Sequence, residues 1–162
     1  MTKRLGNIVV LLILLSFPAY ASMVSFLVVE TGISDDIPNN QLSSLWGGGL
    51  MAAFFDAGYI VTDSPVVRME QKPSKDLSGK VEETFNEATS VGSEYFILGF
   101  LEYEVSAGRA VPVNIAVKLY ETSSKKLIYE QVFPVGKGRN LAEEHQFAQN
   151  AGRTIISHMK DR

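Results

Sequence analysis

The stretch "SSLWGGGLMAAFFDAG", Ser43 to Gly58, constrains the fold more than any other part of the chain. Leu42, Leu45, Trp46, Gly49, Leu50, Ala53, Phe54 and Ala57 recur at spacings of three and four, which is one face of an α-helix. The pattern crosses three consecutive glycines without losing phase. Gly49 falls in the middle of the face, where a missing side chain lets another backbone approach. Gly47 and Gly48 fall off it, and each should cost the helix ~1 kcal/mol relative to Ala. A Walker loop would need Lys and then Ser or Thr directly after the last glycine, whereas Leu50 and Met51 follow here. A dinucleotide fingerprint would need its glycines between a strand and a helix start. The glycines therefore read as helical, with a kink as the alternative.

Met51 and Phe55 lie one turn apart and point away from the Leu42, Leu45 and Trp46 stripe. A helix that is apolar around most of its circumference is either buried on all sides or touches something besides its own sheet. Gly47, Gly48, Met51 and Phe55 therefore form a candidate interface. Burial beneath a loop of the same domain is the alternative.

The amino-terminal residues "MTKRLGNIVVLLILLSFPAYAS" carry a basic start (Lys3, Arg4), an apolar run from Ile8 to Phe17 and a small-x-small site at Ala19 and Ala21. This is the pattern of a secretory signal peptide over residues 1–21, cleaved before Ser22. The run is shorter than the ~20 residues of a membrane-spanning helix, so a retained anchor is the weaker alternative, and no span is expected after cleavage. The chain has no cysteine. The expected domain, 22–162, is thus exported without a lipid-bearing Cys and without disulfides, which suits a bacterial periplasm or secretion. Removing Lys3 and Arg4 from the 15 basic residues leaves 13 against 18 acidic ones, a net charge of −5. That balance argues against nucleic acid as a partner.

The remaining segments read in order. "MVSFLVVE" (Met23 to Glu30) is a central strand, and Pro38, Asn39 and Asn40 prepare a helix start. "GYIVTD" is a short strand, and Val66 to Met69 offers an edge strand. "DLSGKVEETFNEATSVG" is a helix with Leu77, Val81, Phe85, Ala88 and Val91 on one stripe and Glu82, Glu83 and Glu87 facing water. "SEYFILGFLEYEV" is a strand covered on both faces, "VPVNIAVKLYE" alternates with Lys118 and Tyr120 outward, and "KLIYEQVF" returns antiparallel. The last helix, from Leu141 on, has Leu141, Ala148, Ala151, Ile155 and Met159 as its buried stripe. Asn140 and Glu143 stand at its start in a capping-box arrangement. The expected fold is α+β: a mixed sheet of about five strands with three helices packed on it, in the order β-α-β-α-β-β-β-α.

This layout resembles the periplasmic α+β domain shared by the curli secretion protein CsgG, the flagellar protein FlgO, the LpoB activators and the TolB amino-terminal domain. The matching features are "FLVVE", the helix running into "FFDAGYIVTD", "GSEYFILGFLEYE", the pair "VNIAVKLYETSSKKLIYEQ" and the terminal amphipathic helix, together nearly all of Met23 to Lys160. The resemblance implies an exported domain that docks onto other cell-envelope proteins or onto itself. The curli channel inserts amphipathic hairpins to make a pore. The one loop of any length here, Ser64 to Asp76, is too short and polar to supply them, so no pore is implied.

The polar residues offer three weaker candidates. "GKGRN" places Lys137, Arg139 and Asn140 between glycines and a helix start, where free N–H groups favour an anion, so a module for a small anionic ligand is the alternative function. Glu102 and Glu104 share a strand face, the arrangement a hydrolase would use, though exposed glutamates at a strand end are ordinary surface. Lys118, Tyr120, Tyr129 and Gln131 could meet a partner if the last strands have an open side. His145 and His158, thirteen residues apart on a helix, are separated by roughly 20 Å and cannot share a metal. No catalytic motif, cofactor site or metal site is expected, and the leading expectation is a non-enzymatic envelope protein acting by protein–protein contact.

Overall fold

A computed structural model describes residues 21–33, 41–106 and 109–160. The expected signal peptide up to Tyr20, and the helix lead at Pro38, Asn39 and Asn40, lie outside the described residues. The elements are β1 (Met23–Thr31), α1 (Gln41–Asp56), β2 (Ile60–Asp63), β3 (Val67–Met69), α2 (Lys80–Ser90), β4 (Tyr95–Ser106), β5 (Arg109–Glu121), β6 (Lys126–Pro134) and α3 (Leu141–Lys160). This is the expected α+β order with the edge strand β3 present. The strands form one six-stranded sheet in the order β2-β1-β4-β5-β6, with β3 beside the later half of β1.

β1 pairs in parallel with β2, β3 and β4, whereas β4, β5 and β6 are antiparallel. Right-handed crossovers then dictate the layers. The β1-α1-β2 connection moves to one side of β1, and the β3-α2-β4 connection moves to the other. Their helices consequently land on opposite faces of the sheet. Val24, Phe26 and Val28 of β1 pack with Trp46, Leu50 and Phe54 of α1 and Ala148, Ala151 and Ile155 of α3. Leu27 and Val29 point the other way and join Val81, Phe85, Phe96, Leu98 and Phe100. A strand that alternates apolar side chains on both faces is buried on both, which is why β1 reads as nearly continuous hydrophobicity.

The glycine-bearing segment is one helix. α1 and α3 lie against each other, and a Cβ built on Gly152 would stand 2.7 Å from the Cβ of Ala53, a spacing no real pair of Cβ atoms tolerates. Gly49 meets α3 in the same way. Gly47, expected off the buried face, is buried against the Val28 side chain because α1 rests on β1 along this line. Ala57, expected on the stripe, lies past the end of α1 and is exposed.

Further expectations are corrected. The second helix starts at Lys80 and not at Asp76: Gly79 takes φ +54°, and the Ser78 hydroxyl donates to the Lys75 carbonyl (2.8 Å), so residues 75–79 form a turn. Its last stripe position, Val91, follows the helix and is exposed. In α3 the residue that continues the buried stripe beyond Ala148 is Glu144, while Leu141, at the helix start, is exposed. Lys118 and Tyr120, expected outward, are buried because residues 72–76 fold over that face. No described helix is long and apolar enough to cross a membrane.

Candidate functional site

The residues singled out in α1 separate by depth. Gly47 is buried, Gly48 and Met51 are half-buried, and Phe55 is 69% exposed at the carboxyl-terminal end of the helix. Nothing lies within 4 Å of where a Gly48 Cβ would be. A groove of about 250 Å³ runs along this side of α1, lined by Gly47, Gly48, Met51, Ser44, Pro65 and Val66. Ile60, which opens β2, is a further exposed apolar side chain. Met51 touches the core with part of its surface, whereas Phe55 does not. Gly48, Met51 and Phe55 thus present a shallow strip with one largely exposed aromatic ring, and Gly47 lies beneath it.

The loop before α3 is organised by a residue absent from the sequence-derived candidates. Glu144 is buried, and its carboxylate accepts hydrogen bonds from the Gly136 and Gly138 amides (both 2.8 Å) and from the Trp46 indole N–H (2.8 Å). Burial alone would raise this carboxyl, but the amides of Gly138 and Gly136, the Trp46 indole and the Lys137 amide outweigh it and hold it below the ordinary glutamate range. The anion that these amides hold is therefore the chain's own Glu144. Arg139 pairs with Glu143, and the Arg139 amide also donates to Glu143 (2.9 Å). Asn140 Oδ1 accepts from the Glu143 amide (3.0 Å), the N-cap bond. The return bond of a capping box goes to Arg139, one residue earlier than usual. Lys137 has no ion pair among the described residues.

The other candidates are dispersed. Glu102 is tied to Lys72 (2.8 Å), and Glu104 is exposed beside it at the end of β4. His158 stacks on Tyr129 with ring centroids 4.2 Å apart, while His145 lies towards the opposite end of α3. Tyr129 and Gln131 are hydrogen-bonded to each other on the α1/α3 face of β6. Lys118 and Tyr120 sit on the opposite face, where both donate to Asp76 (2.8 and 2.7 Å). These four residues therefore do not form one surface. Burial would raise Asp76, but the hydrogen bonds from Lys118 and Tyr120 bring it below the usual aspartate range. Burial and Asp76 together push the Tyr120 phenol far up. A second buried group joins Glu30, Arg68 (2.8 Å) and Tyr103 (3.2 Å) where β1, β3 and β4 meet. Burial, then the Glu30 charge, raises the Tyr103 phenol strongly. Among the described residues no three His, Cys, Asp or Glu side chains are placed to hold a metal ion.

Glu30 and Glu144 had a signal in the sequence. Each is in phase with a buried stripe, Glu30 with Val24, Phe26 and Val28, and Glu144 with Ala148 and Ala151. A carboxylate in phase with a core face requires buried donors, and those donors lie on other elements.

The chain is similar in fold to the PelC dodecamer subunit from Paraburkholderia phytofirmans (12% identity over 80% of this chain and 84% of that one, TM-score 0.47). It is also similar to the LpoB C-terminal domain from Escherichia coli (15%, 81% and 95%, TM-score 0.44). A third similarity is to TolB from Acinetobacter baumannii (12%, 86% and 28%, TM-score 0.43). LpoB and TolB are two of the four proteins in the sequence resemblance, and CsgG and FlgO stay a likeness of sequence texture. No curated protein matches the chain. A family model described as "Uncharacterised protein" matches residues 23–150, from the start of β1 into α3, and the chain belongs to that family.

Proposed function

We propose that this chain is an exported, non-enzymatic accessory protein of the bacterial cell envelope that acts by protein–protein contact, associating with itself through the outer side of α1. The observation that carries the reading is Phe55, a large aromatic ring 69% exposed on the same helix side as Met51, Gly48 and the groove beside them. An exposed aromatic beside a shallow groove of mixed polarity is a candidate interface centre. Export rests on the amino-terminal pattern of residues 1–21, and the envelope setting on that pattern together with the sequence resemblance. The anion-binding alternative at Lys137, Arg139 and Asn140 gains no support, since Glu144 occupies the amides it would use. The hydrolase alternative gains none either, since Glu102 already has a cation as partner.

Light scattering over a wide concentration range, on Ser22–Arg162 and on its Phe55→Asp variant, tests the proposal. Reversible association of the wild type and a folded, monomeric variant are expected. Two monomers at every concentration would remove self-association through α1.

A further inference from the structure

Among the described residues β6 is the last strand of the sheet, paired with β5 alone. The Val135 amide donates to the Val113 carbonyl on β5 (3.2 Å). Strand residues alternate in the direction of their backbone groups, so Glu130 and Val132 turn their N–H and C=O away from β5. Pro134 falls in the same outward phase, where its lack of an N–H costs no ladder bond. No lysine or proline interrupts β6 between Leu127 and Phe133, the residues that usually blunt an open edge. The Glu130 carboxylate is turned towards Lys118 (3.0 Å).

Beside the end of this edge, between β6 and α3, lies an apolar pocket of about 290 Å³. Trp46 and Ala151 line it from within, with Phe133, Phe147, Asn150 and Lys137 around them. Phe133 and Trp46 are in ring contact at 6.2 Å, and Phe147 is 44% exposed. The exposed charges at the pocket rim are cations, Lys137 and Arg153. Among the described residues neither Lys137 nor Arg153 has an ion pair, and Arg153 donates to the neutral Asn150 amide oxygen (2.9 Å). Arg139 is already matched by Glu143, and the negative charge of Glu144, held by neutral N–H donors, is buried behind Trp46 and away from the rim. In a chain with more acidic than basic residues, two exposed cations at the rim of an aromatic-lined pocket favour a negative partner.

We infer that β6 and this pocket form a docking site for an extended acidic peptide segment of another protein. The segment adds as a strand to β6, places one large apolar side chain against Trp46 and Phe147, and sets flanking carboxylates near Lys137 and Arg153. Main-chain bonds to Glu130 and Val132 supply affinity, and the pocket and the two cations supply selectivity. This surface lies on β6 and α3, away from Phe55, and does not depend on the self-association proposed for α1.

Trp46 is the single tryptophan of the chain and reports occupancy by its fluorescence. The probe is a short capped peptide that alternates threonine with apolar residues around a central phenylalanine and carries aspartates on both flanks. The control has lysines in place of the aspartates. Saturable change in Trp46 emission is expected with the aspartate peptide, with the lysine peptide weaker by about tenfold or more. Val132→Pro removes an N–H that the fold does not use, so the protein should stay folded and bind at least about tenfold more weakly. Lys137→Glu, at the pocket lip, should reverse the preference between the two peptides and serves if the proline variant does not fold. Equal binding of both peptides, undiminished binding to a folded Val132→Pro protein, or no response up to the peptide's solubility overturns the inference. A dimer of the free protein that Val132→Pro dissolves would make the occupant a second copy, and that also overturns it.

Discussion

Gly49 of α1 and Ala148 of α3 approach so closely that a Cβ on Gly49 would lie 2.5 Å from the Ala148 Cβ and 2.9 Å from the His145 carbonyl oxygen. A backbone and a methyl group, neither able to swing aside, set the separation of the two helices. Gly48, one residue earlier, has nothing within 4 Å of the same virtual atom. The pair separates two consequences of one substitution. Gly49→Ala gains helix propensity of ~1 kcal/mol but forces the helices apart, a strain of typically 1–3 kcal/mol. Net destabilisation of up to about 2 kcal/mol is expected. Gly48→Ala keeps the propensity gain and should stabilise by about 0.5–1 kcal/mol. Urea unfolding of both variants with unchanged slopes checks the pair, and an equal effect of the two would show that the helix contact does not set the spacing.

Glu144 joins α3, α1 and the loop that precedes α3. Replacing it by Ala strands the Trp46 indole N–H and the Gly136 and Gly138 amides in a buried place, at a cost of about 2–4 kcal/mol. Glu144→Gln keeps the shape but turns an amide N–H₂ towards groups that are themselves donors, and should recover only part of that loss. Trp46 emission should shift in both variants, because its hydrogen-bond partner is removed or changed.

The same carboxylate predicts acid behaviour. Its folded pKa lies below the unfolded value, so its contribution is fully present above the ordinary glutamate range and is lost as pH falls through the folded pKa. The stability gap between wild type and Glu144→Gln should therefore be constant near neutrality and close below about pH 4. Denaturant titrations at a series of pH values measure it, and a gap that persists unchanged into strong acid would show that the charge of Glu144 does not contribute.

How far the fold could be read from the sequence depended on whether a residue's partners were local. The helix through Gly47, Gly48 and Gly49 was legible because Trp46, Leu50 and Phe54 keep their phase regardless of what they pack on. The alternation of Phe96, Leu98 and Phe100 against Ile97 and Leu101 likewise announced a strand with two covered faces. Lys118 and Tyr120 were misread as outward because alternation says which face a residue takes, but not that Asp76, forty-two residues earlier than Lys118, will cover it. The start of α2 was misplaced because Leu77 holds the helical phase while Gly79 breaks the backbone. Of the candidate interface, Phe55 was placed outward from spacing alone. The Lys137 loop was legible as an N–H-rich turn, but its occupant, Glu144, had the look of a solvated first-turn acid.

The Asp76–Lys118 pair should lose its stabilisation at both ends of the pH scale, because the two groups are shifted in opposite directions. Lys118 Nζ sits between Asp76 (2.8 Å) and Glu130 (3.0 Å) with its side chain 10% exposed, and Tyr120 donates to the same Asp76 oxygen. Burial would lower the Lys118 ammonium, but the hydrogen bonds to Asp76 and Glu130 raise it overall. Its stabilisation is thus present below the unfolded lysine pKa, near 10.4, and lost as pH rises through the higher folded value. Asp76 is depressed, so its share is present above about 3.9 and lost as pH falls through the folded value. Lys118→Met removes the cation and leaves Asp76 with Tyr120 alone, which should cost about 1–3 kcal/mol at neutral pH. Plotted against pH, the difference from wild type should be flat from roughly 5 to 10 and shrink beyond both limits. A difference that instead persists unchanged into both acid and alkali would mean that Lys118 contributes by packing, and not by its charge.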